Sequence, residues 1–96
     1  MADLKHFRRW QKDHYNFMTP QIVSLRDRGV YIIELSKGRG IRNDTIYGVT
    51  LVKMSGSTYE SVRTEGINEC FTGQNAYTEA QAHIRHIDKL LKENAI

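Results

Sequence analysis

The residues most suited to chemistry in this chain are the cations of Lys37-Gly38-Arg39-Gly40-Ile41-Arg42. Cations between glycines can reach phosphates or carboxylates from a loop, and the glycines let backbone approach closely. The run is not a phosphate-binding fingerprint, because the third glycine and the following helix are both missing. A second basic set, Lys5, Arg8, Arg9, Lys12 and His14, is interleaved with Trp10 and Tyr15. That mixture suits nucleic acid through phosphate pairing plus stacking, or an acidic protein surface with Trp and Arg as anchors. The expected binding residues are Lys37, Arg39, Arg42, Arg8, Arg9 and Lys12.

Other candidates reach less far. Glu79, His83 and His86 fall within two turns of one another on a helix, but no His-Glu-x-x-His pattern is present. Surface histidines on a polar face explain them, and no metal is expected. Cys70 lies in Asn68-Glu69-Cys70-Phe71, which matches no nucleophile motif, and it reads as a small buried apolar residue. Glu60, Glu65 and Glu69 could form an acid–base set. Charges that guard a strand edge are the better reading. Tyr47, Tyr59 and Tyr77 could build an aromatic surface, and strand tyrosines also pack across a sheet by default. No catalytic constellation and no cofactor motif stand out, so the chain is expected not to be an enzyme and to use no cofactor.

The elements that must position these residues follow from periodicity. Asp3 to Met18 reads as a helix, with Leu4, Phe7, Trp10 and Phe17 near one face and Thr19-Pro20 as the stop. For Gln21 to Arg28 a short helix is preferred, opened by Thr19-Pro20 and closed by Gly29; a strand over Ile22 to Leu25 is the rival. Val30 to Leu35 is a strand, apolar on both faces as a covered inner strand is. Lys37 to Asp44 reads as a loop, Thr45 to Met54 as a second strand, and Ser55-Gly56-Ser57 as a tight turn. Thr58 to Thr64 is a more polar third strand suited to an edge. Glu65-Gly66 is a candidate bulge, with Ile67 to Phe71 continuing the strand or crossing over. The last helix carries the stripe Tyr77, Ala80, Ile84, Ile87 and Leu91, with Thr78 to Gln81 as a capping box and Asn75 as an alternative cap.

Helix, three or four antiparallel strands, then helix is an α+β order (α-β-β-β-α), with the expectation that both helices pack on one face of the sheet. Ninety-six residues make one small domain with no internal repeat or linker. The order is similar to that of the double-stranded-RNA-binding domain. That family's lysine cluster at the start of its last helix is replaced here by Gly73-Gln74-Asn75-Ala76-Tyr77-Thr78, so its contact residues do not carry over.

Charge narrows the partner class. Residues 1–53 hold ten Lys/Arg against five Asp/Glu, and residues 54–96 hold four against six, within a net charge of +3. Such polarity steers acidic partners. One cysteine, no apolar span and no secretory leader point to a reducing compartment, the cytoplasm, with no membrane partner. The expected function is non-enzymatic binding of a protein or nucleoprotein complex through the basic loop and basic helix face. The style is similar to that of small inhibitors and regulators from phages and mobile elements. Direct RNA or DNA binding is the alternative.

Overall fold

The computed structural model of the chain describes residues 4–7, 9, 21–40 and 42–96. Positions 4–7 and 9 are helical and form α1. Then come β1 (Gln21–Arg28), β2 (Tyr31–Arg39), β3 (Thr45–Ser55), β4 (Thr58–Ser61), β5 (Glu69–Thr72) and α2 (Ala76–Lys92). The α+β order with an antiparallel sheet is as expected from the sequence. Trp10, Phe17 and the Thr19-Pro20 stop lie outside the described residues.

The sheet is an antiparallel meander in the order β1-β2-β3-β4, with β5 also paired to β3. β4 takes Val52 to Ser55 of β3, and β5 takes Ile46 to Val49. The two short strands therefore lie end to end along the same edge of β3. The chain leaves the edge at residues 62–68 and returns to it. Asn68 closes the gap: Leu51 N donates to its Oδ1 at 2.9 Å, and its Nδ2 donates to Val62 O at 2.9 Å. Val62 N donates to Leu51 O at 2.8 Å. A side-chain amide thus stands where a backbone amide of a continuous strand would be, and the backbone of fully buried Leu51 stays satisfied.

The preferred short helix over 21–28 is corrected to a strand. Gln21 to Arg28 pairs along Tyr31 to Lys37, with a bulge between Ile22 and Ser24. Gly29 does not end a helix. It opens the two-residue loop Gly29-Val30 between Arg28 and its partner Tyr31, at φ 75°. Positive φ at the first loop position is what a primed hairpin turn requires. Gly56 does the same at φ 62° between β3 and β4. The partner strand, rather than local capping signals, decides the conformation of 21–28.

The expectation of both helices on one face is also corrected. Neighbouring strand residues point to opposite faces, and Ile32 and Ile33 are both fully buried. Ile33, Leu35, Val49 and Leu51 pack with Ile67 and with Ala80, Ile84 and Ile87 of α2. Ile32, Val52 and Tyr59 pack with Phe7, flanked by Leu4, Leu25 and Met54. The helices cover opposite faces, because β2 and β3 are apolar on both and each face needs a lid. Helix α2 starts at Asn75 without a side-chain cap bond, so the capping box at Thr78 is not used.

Candidate functional site

Strand register decides which cations meet. β2 runs on through Lys37, Gly38 and Arg39, paired with Tyr47, Ile46 and Thr45. The expected loop therefore begins only at Gly40, since a glycine in a strand can stay extended when the opposite strand holds it. The tip is tied rather than loose: Gly40 N donates to Asp44 O at 2.8 Å and Asn43 N to Gly40 O at 2.9 Å. Asn43 takes the left-handed conformation at φ 65°, and Arg39 Nη1 donates to its Oδ1 at 3.0 Å. Arg42 is exposed at this tip.

Lys37 and Arg39 point to the α2 side of the sheet, like Ile33 and Leu35 at the same parity. On β1, Arg26 is opposite Ile33 and Arg28 opposite Tyr31, so both arginines share that side. Helix α2 reaches them with one flank. Arg26 Nη2 donates to Gln81 Oε1 at 3.2 Å. Arg28 Nε donates to Asp88 Oδ1 at 2.7 Å, and Nη2 to Oδ2 at 3.4 Å. Four residues before Gln81, Tyr77 stands edge-on to Tyr47 with ring centroids 5.3 Å apart, and it is 49% exposed. Tyr47 is the cross-strand neighbour of Lys37.

The outcome is a basic strip along β1 and β2 beside α2: Arg26, Arg28, Lys37 and Arg39, with Tyr77 at one end. Asp88 is its anionic member, and its hydrogen bond pushes the Arg28 pKa above its already high ordinary value, against a smaller opposing effect of burial. Below the strip, a shallow depression of about 430 Å³ is lined by Arg28, Asp88, Leu91 and Lys92.

The expected binding residues divide. Lys37 and Arg39 belong to the strip and Arg42 to the adjacent tip. Arg9 is exposed on α1, across the sheet. Phe7 anchors α1 at Ile32 and Val52, roughly 20 Å along the strands from the hairpin tip at a rise of about 3.3 Å per residue. The basic loop and basic helix are thus not brought together. Arg8 and Lys12 lie outside the described residues. Arg26 and Arg28 were hidden by the helical reading; read as a strand, Ser24-x-Arg26-x-Arg28 puts them on one face.

The remaining candidates are placed as follows. Tyr59 is 3% exposed against Phe7, so it does not join Tyr47 and Tyr77. Cys70 is exposed, correcting the expectation of burial: it sits on an edge strand, on the α1 side. His83 Nε2 lies 2.6 Å from Ile67 O; a carbonyl only accepts, so Nε2 carries the proton there. The His83 ring packs on Phe71, with His86 5.9 Å beyond. Among the described residues no group of three or more His, Cys, Asp and Glu side chains could hold a metal ion. Glu60 and Glu69 stand exposed on β4 and β5, and Glu65 in the excursion between them. No helix among the described residues is long and apolar enough to cross a membrane.

Comparison of the chain with protein-family models, with curated proteins and with solved structures finds no match.

Proposed function

We propose that this protein is a non-catalytic binding module of the cytoplasm that presents the basic strip to an acidic face of a partner protein or nucleoprotein, and that it acts by occupying that face. The observation that carries this reading is that Arg26, Arg28, Lys37 and Arg39 line the same side of two adjacent strands. Residues 9 to 13 apart in sequence share that side, the two pairs lying about 13–26 Å apart along β2 at a rise of about 3.3 Å per residue. Cations on rigid strands lose less freedom on binding than cations on a loose loop, which favours specific recognition. The half-exposed Tyr77 beside them supplies an aromatic anchor of the kind that dominates protein interfaces.

The same pairing of cations and an aromatic also suits nucleic acid, and one experiment separates the two. Tagged protein captures partners from cell lysate with and without nuclease, in parallel with Lys37→Glu/Arg39→Glu. The expected result is a defined protein that survives nuclease and is lost in the variant. Recovery of nucleic acid alone, removed by nuclease, overturns the protein reading in favour of a nucleic-acid-binding module.

A further inference from the structure

We propose that the outer edge of β1 is a strand-addition site, taking an extended acidic segment of the partner whose carboxylates alternate along the chain. This rests on the binding reading above and specifies how the partner is held.

The two edges of the sheet differ. The β4/β5 edge is made of two strands of four residues each, interrupted by an excursion. Short, broken edges are how proteins prevent strand pairing. β1 has eight residues and, among the described residues, pairs with β2 on one side only. Past the bulge between Ile22 and Ser24 it runs in regular register to Arg28. An added strand gains affinity from main-chain hydrogen bonds and specificity from alternate side chains.

On β1 those alternate positions are Arg26 and Arg28, about 7 Å apart at two strand residues. A carboxylate two residues from another on an extended partner has the same repeat. Arg26 gives one hydrogen bond to Gln81, leaving most guanidinium donors for an incoming carboxylate. Arg28 gives Nε and Nη2 to Asp88 and Nη1 to Asp27 O, so a partner carboxylate there meets the remaining guanidinium donors. On the other face Leu25 is half-buried against the α1 cluster, so the partner residue opposite it is apolar. A second copy of this chain is a poor occupant. Antiparallel pairing of two β1 strands would crowd the Arg26 and Arg28 of both copies onto one face, and like charges across strands repel.

The test uses the full chain and a capped peptide of the order Val-Glu-Thr-Glu-Val, which reads the same in both directions. Three controls accompany it: a scramble with adjacent glutamates, and two versions N-methylated at alternating residues, one set at the even positions and one at the odd. Binding is followed by amide shifts and by hydrogen exchange of Ser24 to Arg28. The alternating peptide is expected to slow exchange in β1 and to bind about tenfold more tightly than the scramble. One N-methylated version loses binding and the other keeps it, because only alternate amides face β1. Arg26→Glu/Arg28→Glu also loses binding while its amide spectrum stays folded. Equal binding of all four peptides, or failure of all four while the lysate partner is still captured through Lys37 and Arg39, overturns strand addition and leaves the binding reading standing. Binding of a short single-stranded oligonucleotide but of no peptide overturns both.

Discussion

At the scale of single residues, Asn68 does the most with the least burial. It is exposed, yet both its amide atoms serve backbone groups across the break between β4 and β5. Asn68→Ala leaves the Leu51 N–H without its acceptor beside a fully buried side chain, and is expected to destabilise the protein by about 1–3 kcal/mol in urea unfolding. Asn68→Asp keeps an acceptor for Leu51 and loses the donor to Val62, so it should fall between wild type and Ala. Equal stability of all three would mean the break needs no stitch. Arg28 and Asp88 are the contrasting case. Their pair is short but 38% and 26% exposed, and exposed pairs contribute at most about 1 kcal/mol. Asp88→Asn should therefore cost less than Asn68→Ala in the same assay. Neither role was legible from the sequence. Asn68 read as part of a segment, Ile67 to Phe71, that continues the strand or crosses over, and its partners are set by how β4 and β5 share one edge of β3. Arg28 read as the end of a short helix.

At the scale of elements, the sheet separates two cores. Phe7 is buried among Ile32, Val52 and Tyr59, and Ile84 among Ile33, Leu35, Val49 and Leu51. Phe7→Ala and Ile84→Ala should each destabilise by about 2–5 kcal/mol through the lost packing and the cavity left behind. With a sheet between them and, among the described residues, separate core clusters, their effects should add to within about 0.5 kcal/mol in the double variant. A large coupling energy from denaturant unfolding would place both residues in one core, as the sequence suggested. That suggestion failed for a physical reason: periodicity identifies the buried stripe of a helix and says nothing of which side of a sheet receives it. The middle of the stripe was legible, since Ala80, Ile84 and Ile87 are fully buried, while Tyr77 at its start is exposed and Leu91 at its end half-buried. So were β2, β3 and the turn at Gly56. The segment 21–28 was not, because a hairpin partner outweighs a cap signal. The glycines of Lys37-Gly38-Arg39-Gly40 concealed a strand, and with it the face that Lys37 and Arg39 share with β1.

At the scale of the molecule, strand order turns a polarity of sequence into one of shape. The basic residues 1–53 supply α1, β1, β2 and most of β3, while residues 54–96 supply β4, β5 and α2. In a meander, sequence order is lateral order for the strands, so the cations of β1 and β2 lie towards the β1 edge and the exposed Glu60 and Glu69 at the opposite edge, while α1 with Lys5 and Arg9 packs on Tyr59 of β4 across the sheet. The molecule is flat, 39 × 33 × 20 Å, which gives that gradient a broad face. On the proposed reading an acidic partner is steered to the β1–β2 strip before contact forms, and steering is a rate effect that salt screens. The association rate constant with the captured partner should fall by about tenfold or more between low and high salt, with dissociation changing less. Lys37→Glu/Arg39→Glu should slow association strongly at low salt and lose most of that effect at high salt. Arg9→Glu removes the same sign of charge from the other face, and should change the rate little if the strip alone guides the encounter. Surface-plasmon or stopped-flow measurements decide it. The double variant changes twice the charge, so if Arg9→Glu slows association by about half as much on a logarithmic scale, net charge and not the strip guides the encounter, and the partner's footprint must then be sought on the α1 face as well.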